Sequence, residues 1–243
     1  MKKTIRTIIR AVKAVFHFFG IEIHKVRKGV GVDAYRDMRY LSAVPDPVIF
    51  DVGANVGQSV ALFRKQFPGP VIHSFEPGSA AFEQLTRATA GVPDLRLNNF
   101  GLASQAGSRT FIENARTDMS SLLEPGSDCW GEITRTYTID VSTVDDYCAK
   151  NGIERVDILK IDTQGSEFDV IKGADAMMRK GAIHLIYLEI IFSEMYKGLP
   201  RLDEVYGFLA DRGYTLVAFY DFWYQRERAG WTDALFIHPA YVR

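Results

Sequence analysis

Two glycines in a short loop near residue 50 are the first residues whose types and spacing could serve chemistry. The loop, residues 51–57, reads DVGANVG, with glycine at positions 53 and 57. Glycine lets the chain turn sharply and lets a ligand approach the backbone where a Cβ would collide. The spacing G-x-x-x-G differs from the G-x-G-x-x-G pattern that seats a dinucleotide pyrophosphate. The loop therefore favours a nucleoside ligand without phosphates, and a structural tight turn is the alternative interpretation.

An acidic residue follows at the end of the next apolar run, where it could hold a ribose. Glu76 comes 25 residues after Asp51, in the tripeptide FEP. In dinucleotide-binding folds an Asp or Glu at a comparable position accepts hydrogen bonds from ribose hydroxyls. Residues 98–104, NNFGLAS, carry amide and hydroxyl groups that could reach an adenine edge. An exposed carboxylate and buried core side chains are the corresponding structural alternatives.

Two further carboxylates lie at the ends of apolar runs. Asp162 follows the run at 156–161 and begins the polar turn DTQG, and Glu189 lies near the end of the run at 183–190. At a strand tip, Asp162 could orient an acceptor group, deprotonate it or hold a metal ion. If the two strands are neighbours, two carboxylates converge on one cleft, which is costly without a cation, a shared proton or a function. Lys160 is predicted as an ion-pair partner, and Glu167 as a carboxylate in the first turn of a helix.

The elements that must position these residues alternate along the chain. The pattern predicts strands at 48–50, 71–75, 95–99, 156–161, 183–190, 215–220 and 234–238, and helices at 58–67, 79–90, 144–150, 167–179 and 202–212. Residues 107–140 alternate between polar and apolar residues, as a β-hairpin or edge strands would. Alternating buried strands and helices predict an α/β fold, with a mostly parallel sheet covered on both faces and ligands at the carboxyl ends of its strands.

The composition is that of a single globular domain with a separate basic extension. The chain has 243 residues, of which 47% are hydrophobic and 24% charged. Two cysteines, Cys129 and Cys148, are too few for a disulfide framework, so we expect free thiols in a cytoplasmic protein. Residues 1–30 carry a net charge of +7, and the remaining residues carry −8. A nucleic-acid partner for the main body is therefore disfavoured. We divide the chain into an extension, residues 1–30, and a catalytic domain, residues 31–243.

The extension has the pattern of a basic amphipathic helix. Its apolar residues recur at helical spacing, at Ile5, Ile8, Ile9, Val12, Val15, Phe16 and Phe19, and its cations fall mostly elsewhere on the wheel. Lys13 and His17 interrupt the apolar stretch, which excludes a secretory signal, and the segment is too short to span a membrane. Peripheral contact of residues 2–28 with an anionic membrane is one interpretation. Packing of the apolar stripe on the protein's own core or on a second subunit is the other.

The combined motifs resemble the FkbM family of methyltransferases. The resemblance rests on FDVGANVG at 50–57, FEP at 75–77, LKIDTQGSE at 159–167 and Glu189, and it covers residues 46–238 in order. It implies a Rossmann-like class I methyltransferase fold, with a seven-stranded, mostly parallel sheet that ends in an antiparallel strand and has helices on both faces. It also implies that S-adenosylmethionine is the methyl donor.

The resemblance assigns roles by position. Asp51, Gly53, Asn55 and Gly57 match the cofactor loop, Glu76 matches the ribose-binding acid, and Asp162 matches the acid after the fourth strand. Many members carry Glu where this chain has Gln164, which weakens a catalytic role for that position. The complete candidate set comprises Asp162 and Glu189 as catalytic residues and Asp51, Gly53, Asn55, Gly57, Ser59, Glu76, Asn99, Gly101, Leu102 and Asp162 as cofactor-binding residues.

Family membership implies O-methylation of hydroxyl groups on sugars, polysaccharide precursors or polyketide-type molecules. Four residues are candidates for the base that assists a weakly nucleophilic hydroxyl, namely Asp162, Glu189, His73 and His184, and we prefer Asp162. A divalent metal and a homo-oligomer are left open. Acceptor specificity is expected from residues 115–130, 191–200 and the aromatic run 220–224. The alternatives are a non-catalytic binding or scaffold protein with the same fold and, with less support from the motifs, a nicotinamide-dependent oxidoreductase.

Overall fold

A seven-stranded sheet organises the part of the chain that the computed structural model describes, residues 2–21, 30–42 and 44–241, with residues 2–8 as helical backbone. In chain order the strands are β1 (Val48–Val52), β2 (Val71–Phe75), β3 (Leu95–Asn98), β4 (Gly101–Leu102), β5 (Gly107–Asn114), β6 (Ile133–Ser142), β7 (Val156–Ile161), β8 (Ile183–Ile191), β9 (Thr215–Gln225) and β10 (Arg228–Ile237). The helices are α1 (Lys2–Phe18), α2 (Ala34–Leu41), α3 (Gln58–Gln66), α4 (Ser79–Ala88), α5 (Val144–Asn151), α6 (Glu167–Lys172), α7 (Asp175–Arg179) and α8 (Leu202–Ala210), with short 3₁₀ turns at Thr117–Met119 and Pro239–Tyr241.

The strand order confirms the predicted sheet. The order is β3-β2-β1-β7-β8-β10-β9. Strands β3, β2, β1, β7 and β8 are parallel, whereas β10 is antiparallel to both β8 and β9. Neighbouring residues such as Ile49 and Phe50 are both buried but belong to different apolar cores. Alternate side chains of one strand thus point to opposite faces, each covered by helices, which explains why the inner strands are apolar throughout.

The region predicted as a hairpin, residues 107–140, forms a separate small sheet. Strands β5 and β6 pair antiparallel, and β4 pairs parallel to β6. The prediction of one long helix at 167–179 is wrong, because the chain forms two shorter helices there, α6 and α7. They separate at Gly173, where an added Cβ would lie 2.0 Å from the carbonyl oxygen of Ala103. This close backbone contact cannot be read from a local apolar period.

The last two strands are longer than predicted, and α2 was not predicted at all. Strands β9 and β10 form one hairpin that turns at Arg226 and Glu227, which have φ values of 47° and 63°. Helix α2 is short and half polar, so its pattern carries little signal. It begins at the cap of Asp33, whose side chain accepts a hydrogen bond from the backbone N–H of Arg36 at 3.0 Å.

Asp37 attaches α2 to the sheet. Its buried carboxylate accepts hydrogen bonds from the N–H of Gly31 at 2.5 Å and from the hydroxyl of Tyr220 at 3.1 Å. The attachment places the Tyr35 ring against Tyr187 of β8, with ring centroids 6.1 Å apart. Helix α2 therefore covers one face of the sheet close to its carboxyl edge.

Helix α1 confirms the predicted helix at the start of the chain. The side chains of Ile9, Val12 and Phe16 are exposed, as are all those described from residue 9 to residue 21. In this part of the chain the apolar stripe does not pack on the protein's own core, and packing on a second subunit, the other form of that interpretation, stays a prediction. Predictions for residues 22–29 lie outside the described residues. In the part of the chain that is described, no helix is long and apolar enough to cross a membrane.

Replacement of Asp37 tests this attachment. We expect Asp37→Ala to lower the free energy of unfolding by about 1–3 kcal/mol, because it leaves the buried Tyr220 hydroxyl without its acceptor and also removes the bond from the Gly31 N–H. Tyr220→Phe removes one of the same bonds and leaves no unsatisfied hydroxyl, so it should cost less. Urea denaturation followed by circular dichroism measures both variants. Unchanged stability of Asp37→Ala would contradict this role.

Candidate active site

A cleft opens at the carboxyl edge of the sheet, where β1 and β7 meet. Chain connections leave in opposite directions on either side of this pair, which makes it the topological switch point at which α/β sheets bind ligands. The lining comes from the loops after β1, β2 and β7, and from β4. The small sheet adds a residue of β5, and the segment that follows β5 adds several more. Its residues are Val52, Gly53, Asn55, Phe75, Glu76, Pro77, Gly101, Leu102, Phe111, Thr117, Asp118, Ser120, Leu122, Asp162, Thr163 and Gln164.

The loop after β1 requires glycine at position 53. Gly53 has a φ of +74°, and an added Cβ would lie 1.7 Å from the carbonyl oxygen of Asp162. The N–H groups of Gly53 and Ala54 both donate to the carbonyl oxygen of Phe75, at 3.0 and 3.1 Å. Asn55 also has a positive φ, 45°, which is uncommon for a residue with a side chain and is often found where function constrains the backbone. The loop is thus fitted between the ends of β2 and β7.

Asp51 lies beneath this loop and does not line the cleft. Its carboxylate is fully buried and lies 3.0 Å from the Lys160 ammonium, and it accepts a hydrogen bond from the Ser59 hydroxyl at 2.5 Å. Lys160 also donates to the carbonyl oxygen of Gly53 at 2.9 Å. Burial alone would lower the pKa of Lys160, but the carboxylates of Asp51 and Asp162 outweigh it and raise that pKa. Asp51 and Ser59, both predicted to bind the cofactor, therefore hold the loop from below, and Gly57, which has a φ of 98°, ends the loop at the start of α3 and does not line the cleft.

Glu76 lies in the cleft as predicted from its position. Its two carboxylate oxygens accept hydrogen bonds from the N–H groups of Asn55 at 2.9 Å and Gly78 at 2.8 Å. Burial raises the pKa of Glu76 to about 7, although these two bonds lower it. Each oxygen keeps a lone pair for a hydroxyl donor. The Asn55 side-chain oxygen is buried and has no hydrogen-bond partner among the described residues, so it is a further polar group for a ligand to satisfy.

The other predicted cofactor residues divide into two groups. Gly101 and Leu102 line the cleft beside Glu76. Asn99 is exposed and lies outside the lining, and its amide donates to the backbone carbonyl of Glu76 at 2.9 Å. Asn99 thus fixes the end of β2 and does not face the space that a ligand would occupy.

Asp162 and Glu189 lie together because β7 and β8 are paired, with Ile161 opposite Leu188. The Gln164 amide bridges them, since its nitrogen donates to Asp162 at 3.0 Å and reaches Glu189 at 3.4 Å. The Gln164 oxygen accepts a hydrogen bond from the Tyr196 hydroxyl at 3.0 Å, which fixes the orientation of the amide. Burial and the neighbouring carboxylates raise the pKa of Glu189 well above its usual range.

Two more carboxylates belong to the same region. Glu167 accepts hydrogen bonds from the N–H groups of Thr163 at 2.7 Å and Gly165 at 3.0 Å, so it organises the turn after β7. Burial raises its pKa to about 7. Asp233 of β10 lies opposite Glu189 and accepts a hydrogen bond from the Tyr187 hydroxyl at 2.7 Å. Burial raises the pKa of Asp233 to about 6.

Neither histidine lies at the cleft. The His73 ring is buried in β2, 2.8 Å from the Tyr147 hydroxyl, and burial lowers its pKa to about 4. His184 lies near the start of β8, at the opposite edge of the sheet, and stacks on Tyr241 with ring centroids 4.0 Å apart. This placement leaves Asp162 and Glu189 as the base candidates that are near the cleft.

Sequence reasoning missed part of the cleft wall. Phe111 of β5 reaches it from the small sheet, and no local pattern marks that approach. Four residues of the segment 115–130, which was expected to set specificity, also line it, namely Thr117, Asp118, Ser120 and Leu122. The exposed rings of Phe222, Trp223 and Tyr224 are near the tip of the β9–β10 hairpin, outside the lining. Within the described residues, no group of three or more His, Cys, Asp or Glu side chains is arranged to hold a metal ion.

Comparison with known proteins agrees with the motifs. A family model described as "Methyltransferase FkbM domain" matches residues 51–216. The chain is 27% identical over 186 residues to the 2-O-methyltransferase NoeI of Sinorhizobium fredii, covering 72% of this chain and 76% of that protein. It is 28% identical to the 31-O-demethyl-FK506 methyltransferase FkbM of Streptomyces tacrolimicus, with 72% and 75% covered. The hexuronic acid methyltransferase AglP of Haloferax volcanii is 25% identical, with 70% and 66% covered.

Comparison with solved structures supports the fold. An rRNA methylase from Streptococcus thermophilus superposes with a TM-score of 0.50 and 9% sequence identity, covering 88% of this chain and 99% of that one. At this identity the likeness extends to the fold alone.

The ion pair beneath the loop gives a stability prediction. We expect Lys160→Met to lower the free energy of unfolding by about 3–5 kcal/mol, because it leaves the Asp51 carboxylate buried without a cation. The double variant Asp51→Asn/Lys160→Met should recover part of that loss, because the uncompensated charge is gone. Guanidinium denaturation of the wild type and both variants measures the difference. If the single and double variants were equally stable, the pair would not have this role.

Proposed function

This chain belongs to the FkbM family of methyltransferases, and we propose that it methylates a hydroxyl group of a sugar or another small molecule. It is an enzyme that takes its methyl group from S-adenosylmethionine. The proposal concerns the acceptor atom and its class. Support comes from the relatives, two of which are named O-methyltransferases and one of which is named for hexuronic acid.

The observation that carries the assignment of the cofactor site is the arrangement around Glu76. Its carboxylate is buried beside the glycine loop, has one backbone donor on each oxygen and lines the cleft. A ribose offers two neighbouring hydroxyl donors, which suit the remaining lone pairs. The unpartnered side-chain oxygen of Asn55 adds a hydrogen-bond acceptor, and Leu102 adds an apolar surface against which the adenine ring can pack. We assign the nucleoside of S-adenosylmethionine to these residues.

Asp162 is the residue that we propose to act on the acceptor. Its side chain is 48% exposed at the cleft, and one oxygen is held by Gln164. The bound cofactor supplies an electrophilic methyl group on a positively charged sulfur. Asp162 would accept the proton of the acceptor hydroxyl, a contribution of about 10²–10⁴ in rate, whereas holding the acceptor in position supplies the larger part.

We propose a different role for Glu189, because burial and the neighbouring carboxylates raise its pKa and so favour its protonated form more than in an ordinary carboxyl group. A protonated carboxyl donates a hydrogen bond as well as accepting one. Glu189 can therefore hold an acceptor oxygen without adding a second full negative charge beside Asp162. Gln164 keeps the two carboxyl groups apart and oriented.

The partners that we propose follow from the same features. The acceptor is a hydroxyl-bearing small molecule or sugar, and the acidic main body disfavours nucleic acid. We propose that the enzyme works in the cytoplasm, in peripheral contact with the inner face of the membrane through α1. A homo-oligomer and a divalent metal stay open alternatives.

Calorimetric titration of the purified protein with S-adenosylmethionine and S-adenosylhomocysteine tests the cofactor site. We expect saturable binding of both, weakened about tenfold or more in Glu76→Gln because a charge-assisted hydrogen bond is lost. Hydroxyl donors favour the ionised form of Glu76, so affinity should fall as pH drops below about 7 in the wild type and change little in Glu76→Gln. The exposed Glu83→Gln serves as a matched control. Absence of binding by folded protein would contradict the proposal.

Replacement of Asp162 tests the catalytic step and separates an enzyme from a scaffold. The assay follows transfer of labelled methyl groups to a panel of hexoses and hexuronic acids. We expect Asp162→Asn to lower kcat by about 10²–10⁴ on any sugar that is methylated, with a smaller change in KM. Asp169→Asn, on α6, is the control. Unchanged kcat in Asp162→Asn would remove Asp162 from the mechanism, and no transfer to any hydroxyl in the panel would count against the sugar acceptor.

A further inference from the structure

Helix α1 presents an uncovered apolar surface. Its apolar arc consists of Ile9, Val12, Val15 and Phe16, whose side chains are 50%, 43%, 58% and 40% exposed. At 3.6 residues per turn these four positions fall within about 120° of the helix circumference. Phe18 and Phe19 continue the aromatic surface at the end of the helix, with ring centroids 5.4 Å apart. Uncovered apolar area of this kind is costly in water and marks an interaction surface.

The cations of α1 lie beside the apolar arc. The cationic arc consists of Arg10 and Lys13, with the His17 position between them on the wheel, and these three positions fall within about 60° next to Ile9. The sequence of the helix contains no Asp or Glu. One side of α1 is therefore apolar and the adjacent side is positively charged when Arg10 and Lys13 carry their usual charge.

The charge distribution selects among the possible partners. A second copy of α1 would bring cations against cations, with no carboxylate on either helix to offset them. The protein's own main body is acidic, but the described side chains of residues 9–21 are exposed and do not use it. An anionic phospholipid surface offers both an apolar layer for the apolar arc and negative headgroups for the cationic arc.

We propose that α1 lies in the plane of an anionic phospholipid surface and holds the methyltransferase domain there. The apolar arc enters the boundary between headgroups and acyl chains, and Arg10 and Lys13 contact the headgroups. This attachment is separate from methyl transfer, since the cleft lies in the other part of the chain and none of the described α1 side chains, from residue 9 onward, lines it.

Co-sedimentation of the full-length protein with phospholipid vesicles tests the proposal. The vesicles are phosphatidylcholine with or without phosphatidylglycerol, at low and high salt. We expect binding at least about tenfold tighter to the anionic vesicles, and weakening by salt because the charges are exposed. Val12→Asp/Phe16→Asp should abolish binding, and Arg10→Gln/Lys13→Gln should remove the preference for anionic vesicles.

Controls separate this attachment from general surface properties. Leu62→Asp and Arg87→Gln change an exposed apolar residue and an exposed cation on other helices and should bind vesicles like the wild type. S-adenosylhomocysteine binding, measured on every variant, should be unchanged, so failure of the cofactor proposal is detected independently. Equal binding of the wild type and Val12→Asp/Phe16→Asp would overturn the proposal. So would a dimer that forms without lipid and is lost in Val12→Asp/Phe16→Asp.

Discussion

The buried ion pair between Asp51 and Lys160 is the contact on which the rest of the site depends. The two residues face each other across the paired strands β1 and β7. The ion pair therefore joins the two strands at the topological switch point, where the chain connections leave in opposite directions. Lys160 also binds the carbonyl oxygen of Gly53, and Gly53 in turn packs against the backbone of Asp162. One ammonium group therefore fixes the ligand loop relative to the acidic turn. A buried pair of this kind adds little net stability by itself, but loss of either partner is costly.

The same ammonium group faces an unusual density of acids. Asp162, Glu167, Glu189 and Asp233 lie near one edge of the sheet, and burial and mutual repulsion raise the pKa of the last three. Protonation is one way to reduce the repulsion, and a cationic ligand is another. A methyl donor with a positively charged sulfur is an electrostatic match for such a cleft. The acids can thus favour the donor and still leave Asp162, the most exposed of them, to act on the acceptor.

The acidic main body and the basic helix α1 carry charges that we assign to different partners. Part of the negative charge of the main body lies at the cleft, where it attracts a cationic ligand. Helix α1 carries positive charge and uncovered apolar surface, which we propose contact an anionic phospholipid surface. Because α2 is held to the sheet through Asp37 and Tyr220, the Tyr35 ring is positioned against Tyr187 of β8.

The sequence by itself determined the order of strands and helices, the glycine loop and the strand-end positions of Glu76 and Asp162. These features are local, because apolar period, glycine spacing and strand-end residues are all visible within a few positions. Only the tertiary structure decided that Asp51 and Ser59 do not line the cleft, that Glu189 lies beside Asp162 with Gln164 bridging the two, and that Asp233 and Phe111 come near. Each of these depends on which strands become neighbours and on which side of the backbone a residue faces at a strand end. That information resides in contacts between residues far apart in the chain, so a local pattern does not contain it.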